Sequence, residues 1–323
     1  MYGLLDAGYS TSNLGTVATA GSNQWGQQNG NDVGAGMNSF HNPSRIGFKG
    51  TEDLGGGLAA NFNLETGGLN MGAGATALDT TRESWVGLSG AFGSTRIGRT
   101  SSVATQANAA FDFNHISTSS AMASVGLSPV TWYGSSRRSN QFQYSSNVYN
   151  GFSAGLGYVA AGDLADTGAT GQFKSSSQVR MNYENGPLAV GFTSESARKT
   201  GARTASALFA SYNFGVAKVG AGAVTSETQA ATYSATTGGV NGGKGSYFNV
   251  DVPFGAFNVG AQYAKNTASN DKATELYGRY TLSKRTFVYL DTVSIDFAGA
   301  GSFSNVTGGK NVTKTGLGIV HNF

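Results

Sequence analysis

Polar and apolar side chains take turns along most of this chain. From Gly316 onward, Leu317, Ile319, His321 and Phe323 fall on one side. Gly316, Gly318, Val320 and Asn322 fall on the other. A period of two belongs to a β-strand whose two faces meet different surroundings. The same pattern recurs upstream. Phe152, Ala154, Leu156, Tyr158 and Ala160 oppose Ser153, Gly155 and Gly157. Val179, Met181 and Tyr183 oppose Gln178, Arg180 and Asn182, and Leu188, Val190 and Phe192 oppose Ala189, Gly191 and Thr193. Phe257, Val259, Ala261 and Tyr263 oppose Asn258, Gly260 and Gln262. A soluble sandwich or a Gly-rich solenoid also alternates, but it hides its apolar face in a dry core of Val, Ile and Leu. Here the second face is small and polar, which suits a wet lumen.

The strands are punctuated in two ways. Tight turns rich in Gly, Asn, Asp or Ser fall at Thr51–Gly57, Gly90–Gly93, Asn147–Asn150, Asn185–Gly186, Phe214–Gly215, Phe254–Gly255 and Ser283–Arg285. Such residues suit hairpins. Longer stretches rich in Ser, Thr, Gly and Asn lie between them, near 10–43, 67–80, 101–136, 162–175, 196–204, 227–244, 266–272 and 297–311. Short turns on one rim and long loops on the other is the asymmetry of a bacterial outer-membrane barrel. With both termini on the short-turn side, seven turns and eight loops join sixteen strands. The expected fold is therefore all-β: a 16-stranded antiparallel transmembrane β-barrel, read as one domain over residues 1–323. At sixteen strands such a barrel leaves an aqueous channel.

Composition agrees with that reading. The 323 residues are 39% hydrophobic, and no apolar run approaches the roughly 18–20 residues of a membrane-spanning helix. A barrel strand needs only about 9–11. Forty-nine Gly and four Pro favour turns and crowded backbone over helices. The absence of Cys excludes disulfides, thiolate catalysis and Cys-ligated zinc. A net charge of +3 is too balanced to argue for nucleic acid. Met1 runs straight into strand-like Tyr2–Asp6, so the chain reads as mature with an added start Met.

Several segments carry a resemblance. Residues 44–58, SRIGFKGTEDLGGGL, resemble a signature of Gram-negative general porins of the β-proteobacterial branch. Tyr2–Asp6 is similar to that branch's first strand, and Val86–Gly93 with Ile97–Arg99 to its strand–turn–strand before the third loop. The closing Gly318–Phe323 resembles the family's last strand, with Val320 where a basic residue is usual. The resemblance implies a trimeric outer-membrane porin for passive diffusion of small hydrophilic solutes and ions, in contact with lipid and lipopolysaccharide. It implies no cofactor, metal or enzymatic activity. It also implies a third loop folded into the barrel, and a terminal Phe323 that serves as an assembly signal. The 101–136 loop suits that role, because Phe111, Phe113, Ile116, Met122, Val125, Leu127, Trp132 and Tyr133 would be wasted in solvent. The first strand's outward Gly3, Leu5 and Ala7 offer a flat patch for trimer packing.

Porin selectivity rests on a constriction and its electrostatic profile. Strand parity points Arg45, Lys49, Arg96, Arg137, Arg180 and Arg279 into the lumen, with Arg137 on the face of Ser139, Gln141 and Gln143. A cation facing lipid at mid-depth would cost about 2–4 kcal/mol. Arg45 and Arg137 fall where anion-preferring relatives carry constriction arginines. Such relatives show a basic pair where this chain has Arg82-Glu83, so Glu83 would blunt the positive field, and Arg82 is placed at the rim. Asp112 is the third loop's single carboxylate, with His115 close by. Asp6, Glu65, Glu275 and Asp291 are the available inward partners for these cations. One unpaired Arg about 6 Å from an anion contributes roughly 0.7 kcal/mol in water-like dielectric. A bias toward anions follows. The alternatives are a channel specific for phosphate or organic acids, and a surface adhesin. Tyr9, Trp85, Tyr144, Tyr158, Tyr183, Tyr212, Tyr263 and Tyr280 are candidates for interfacial girdles where they face out. His41, His115 and His321 show no metal-ligand spacing, and Thr51-Glu52-Asp53 reads as a turn whose carboxylates cap backbone N–H groups.

Overall fold

The computed structural model describes residues 1–12, 35–67, 69, 79–108, 111–114, 120–128, 136–161, 174–197, 204–226, 243–268, 270–296 and 311–323. His115, Ile116, Trp132 and Tyr133 lie outside them. One antiparallel sheet closes on itself. Its long strands are β1 (Tyr2–Ser12), β3 (Arg45–Gly55), β4 (Leu58–Gly67), β5 (Asp79–Gly90), β6 (Gly93–Ser101), β7 (Arg137–Ser145), β8 (Phe152–Val159) and β9 (Ser176–Asn185). They continue through β10 (Leu188–Glu195), β11 (Ala205–Asn213), β12 (Lys218–Ser226), β13 (Lys244–Phe254), β14 (Phe257–Asn266), β15 (Lys272–Ser283), β16 (Thr286–Asp296) and β17 (Asn311–Asn322). These are the sixteen strands of the barrel. Six of the tight turns fall where the sequence puts them; at the first, Thr51–Gly55 continue β3 and pair with β4, so the reversal is confined to Gly56 and Gly57. A short β2 (Ala35–Asn38) also pairs with the upper part of β1.

The β3–β4 turn shows why its residues are there. Gly55, Gly56 and Gly57 all have positive φ, and the Asp53 carboxylate accepts the Gly55 N–H at 2.9 Å. A side chain at three successive left-handed positions would be strained.

Closure joins β1 to β17 from Leu4 opposite Asn322 to Ser12 opposite Lys314. Below that ladder, Gly3 and Phe323 exchange both backbone hydrogen bonds, at 2.9 and 3.1 Å. A Cβ on Gly3 would run into the Phe323 ring, so the glycine makes the seat for the aromatic. The last pairing removes the remaining sheet edge, as a bilayer requires.

Alternation sorts the side chains as expected. Phe152, Leu156, Tyr158, Met181, Leu188, Phe192, Phe257, Val259, Leu317 and Ile319 are exposed on the outer surface, and Tyr9, Tyr212, Tyr263 and Tyr280 stand with them. Trp85 does not. It shares the inward face of β5 with Glu83 and carries the Arg96 guanidinium over its ring, 4.6 Å from the centroid.

The apolar core sits inside the barrel, between the wall and the loop that follows β6. That loop contains helices α1 (Val103–Asn108) and α2 (Ala121–Ser124). Ala104, Ala107, Phe111, Met122, Val125 and Leu127 are buried against Ala205, Ala207, Phe209, Val224, Tyr247, Ala264 and Ala273 of the wall. Phe111 stacks on Phe209 with centroids 5.1 Å apart. The inward glycines and alanines now have a reason, since they leave room for the loop. A Cβ on Gly191 would stand 2.6 Å from the Phe111 ring.

Candidate functional site

Polar side chains of the wall hold the loop in place. Gln178 accepts the Val103 N–H at 2.8 Å, where α1 begins. Asn249 donates to the Phe111 carbonyl at 2.6 Å, and Asn266 donates to the Val125 carbonyl at 2.9 Å. Gln262 accepts from the Ser120 hydroxyl at 3.1 Å and from the Met122 N–H at 2.8 Å. The loop itself supplies Asn114, whose amide donates to Glu275 at 2.5 Å and to Asp291 at 2.9 Å, while Glu275 also accepts the Ala121 N–H at 3.0 Å. These groups are buried, where an unmade hydrogen bond costs about 1–3 kcal/mol. The loop is therefore pinned along β8–β16 and leaves the wall of β3–β6 uncovered by its described residues.

Asn114 is the bridge between two adjacent buried carboxylates. Asn114→Ala is expected to loosen the 111–114 segment and give larger, noisier single-channel conductance. An unchanged conductance would show that the remaining wall contacts hold the loop unaided.

The uncovered wall carries the charge. Arg45, Arg82 and Arg137 converge on Glu65, at 3.7, 2.6 and 3.9 Å. Arg137 also reaches Glu83 at 3.1 Å, and Tyr2 donates its hydroxyl to Glu65 at 2.9 Å. Glu83 accepts the Ser101 N–H as well, at 3.1 Å, which ties this cluster to the start of the loop. Three guanidiniums thus meet two carboxylates. Arg82 lies inside this cluster rather than at the rim.

The other sequence-identified cations are spread around the lumen. Lys49 lies over the Tyr2 ring, 5.1 Å from its centroid. Arg96 rests on Trp85, and Arg180 donates to Gln106 of α1 at 3.4 Å. Neither arginine reaches a carboxylate at ion-pair distance among the described residues, and the Arg180 Nε is buried without a hydrogen-bond partner. Arg279 is paired with Asp251 at 3.4 Å and bonded to Asn258 at 2.9 Å, so its charge is compensated. Asp112 is buried beneath the loop near Gln262 and the Asn114 N–H, at 3.4 and 3.3 Å. Asp6 holds backbone instead of a cation. It accepts from His41 N–H at 2.8 Å, Asn42 N–H at 2.7 Å and the Tyr289 hydroxyl at 2.9 Å, where the chain folds inward between β2 and β3.

One inward arginine escapes simple parity. Gly98 pairs with Gln141 and Thr100 with Arg138, so Ser139 and Asn140 together oppose Arg99. This is a β-bulge. Asn140 takes its positive φ of 51°. The slip turns Arg138 inward with Gln141 and Gln143, while Ser139 accepts from Arg99 at 2.9 Å. Arg138 makes two bonds of 3.1 Å to Glu195, and both side chains are fully buried. The adjacent pair Arg137-Arg138 is the available signal in the sequence. Both cannot face inward on a regular strand, and an outward one would face lipid.

A family model described as Gram-negative porin matches residues 1–300. The chain belongs to the Gram-negative porin family. Outer membrane porin protein 32 of Delftia acidovorans is 28% identical to this porin, over 87% of the chain and 84% of that protein. An outer membrane porin protein of Bordetella pertussis is 30% identical, over 69% of the chain and 60% of that protein. The solved anion-selective porin from Comamonas acidovorans superposes with a TM-score of 0.75 at 24% identity, covering 100% of this chain and 98% of that one. This porin is thus an outer-membrane barrel that forms a channel for small hydrophilic solutes.

Proposed function

We propose that the channel prefers anions and that its selectivity arises on the wall of β3–β9 facing the loop. The observation that carries this is the local charge balance. Three arginines share two glutamates, and Arg96 and Arg180 add two further positive charges with no carboxylate at ion-pair distance among the described residues. The loop's Asp112 is buried, so it offers little to a passing cation. The name of the solved Comamonas relative, an anion-selective porin, supports the same direction.

In planar bilayers under a potassium chloride gradient, the reversal potential is expected to carry the sign of chloride preference. It should weaken as ionic strength rises, because salt screens the field. A clear potassium preference would refute the reading.

A channel that binds a class of small anions is the second reading, favoured by the unpartnered Arg180 Nε beside Arg96. Conductance saturating with phosphate or an organic acid, but not with chloride, would select it. No step of bond chemistry is assigned to the site. The working unit is proposed to be a homotrimer in contact with lipopolysaccharide. The partly exposed Leu5 and Ala7 of β1 suit close packing between copies, while Gly3 on the same face is covered by the Phe323 ring.

A further inference from the structure

The outer surface carries a second concentration of positive charge, far from the lumen wall just described. On β14 and β15, Lys265 and Lys272 are directly opposite one another. Both point outward, since their neighbours Ala264, Asn266, Asp271 and Ala273 are buried on the inner side. Lys244 begins β13 at the same height. It is exposed, and its carbonyl accepts the Thr267 N–H at 2.6 Å just past the end of β14. All three lie at the long-loop rim, which is the extracellular one.

Like charges directly opposite on a sheet are destabilising. Here the local carboxylate count does not relieve them. Asp296 faces Lys272 across β15 and β16, and it is the single carboxylate described at this part of the outer rim. Three ammonium groups therefore meet one carboxylate, and none of the three lysines forms an ion pair among the described residues. Below this row the surface turns apolar. Phe248 and Tyr263 are opposite one another, with Leu276 and Leu290 beside them, all exposed. The face is basic where a bilayer has headgroups and apolar where it has acyl chains.

We propose that Lys244, Lys265 and Lys272 form a binding site for the phosphate-bearing headgroup of an outer-leaflet glycolipid, whose acyl chains lie along Phe248, Tyr263, Leu276 and Leu290. A second copy of this chain is the competing occupant, and charge argues against it. The described exposed carboxylates other than Asp296 are Glu52, Asp53 and Glu184, all at the short-turn end. A neighbouring barrel at the same height has no described acidic patch to offer. The proposal rests on the outer-membrane placement and on lipopolysaccharide contact. It is independent of channel selectivity.

The test uses the full-length barrel in detergent and native mass spectrometry, with bis-phosphorylated lipid A, dephosphorylated lipid A and phosphatidylethanolamine as probes. Bis-phosphorylated lipid A is expected to bind most tightly. The K244Q/K265Q/K272Q variant should lose on the order of a hundredfold in that affinity, since each lysine near an anionic headgroup contributes about fivefold. A variant with three arginines in their place should retain binding. Gel mobility before and after heating reports whether each variant is folded, and bilayer conductance reports whether the channel is intact. Equal binding of the two forms of lipid A would overturn the proposal, as would a folded, conducting glutamine variant that binds like the wild type. Displacement by millimolar inorganic phosphate would assign the lysines to a free anion. A change of oligomeric state in the glutamine variant would assign them to a second copy. Either result overturns the lipid site.

Discussion

Replacing Arg96 and Arg180 together by Gln is expected to abolish most of the channel's preference for anions. The five charged groups of the Arg45–Arg82–Arg137 cluster leave one net positive charge, because Glu65 and Glu83 offset two of the three arginines. Arg96 and Arg180 supply two, with Trp85 and Gln106 as their described side-chain partners. Each acts on an anion about 6 Å away with roughly 0.7 kcal/mol in water-like dielectric, so the pair contributes about 1.4 kcal/mol. That is about a tenfold change in the permeability ratio at low salt. The opposite change makes the reasoning two-sided. Glu65→Gln should raise the anion preference about threefold, by freeing one charge of the cluster. Reversal potentials in the same salt gradient measure all three proteins. A permeability ratio unmoved in the double variant would place the selective field in the Arg45–Arg82–Arg137 cluster.

Much of this architecture is legible in the sequence, because a membrane barrel imposes two simple constraints. Each strand must be apolar toward lipid and small or polar toward water, so the faces of Phe152–Ala160 and Leu188–Thr193 can be assigned by parity alone. The backbone must also reverse within a few residues on one rim, which leaves Gly55–Gly57 and Asn185-Gly186 as visible punctuation. Parity fails where the backbone leaves the regular pleat. Asn140 is an ordinary residue in the sequence, yet its left-handed conformation inserts one residue and moves Arg138 to the inside. Trp85 looks like a girdle aromatic until Arg96, on the next strand of the hairpin, is seen to lie on its ring.

The loop contacts are the least legible part. The apolar residues of 101–136 announce that the loop needs cover, but not which wall provides it. That choice depends on pairs such as Asn114 with Glu275 and Asp291, separated by about half of the chain. Asp112 reads as the third loop's single carboxylate, and the sequence does not show that it lies buried beside Gln262. Charge counting gives the sign of the lumen but not the partners. Glu65 is one of four inward carboxylates in the sequence, and only the fold brings three arginines to it.

The largest effect on stability is expected at Arg138 and Glu195. The pair joins β7 to β10 across the upper ends of β8 and β9, with both side chains fully buried and two bonds of 3.1 Å. Removing one partner leaves a buried charge with its ion partner gone, a change that costs about 3–5 kcal/mol. Arg138→Met and Glu195→Gln should each lower the urea midpoint of the refolded barrel and reduce its folded fraction after insertion. The double variant Arg138→Met/Glu195→Leu should recover much of that loss, because apolar replacement of a whole buried pair is often neutral or stabilising. A functional consequence comes with it. Arg138 also donates to the Arg137 carbonyl at 3.3 Å, so a loosened β7 would let Arg137 drift from Glu83 and shift the reversal potential in the single variants. Single variants as stable as the wild type, or a double variant no better than the singles, would show that the pair is held passively by the surrounding wall.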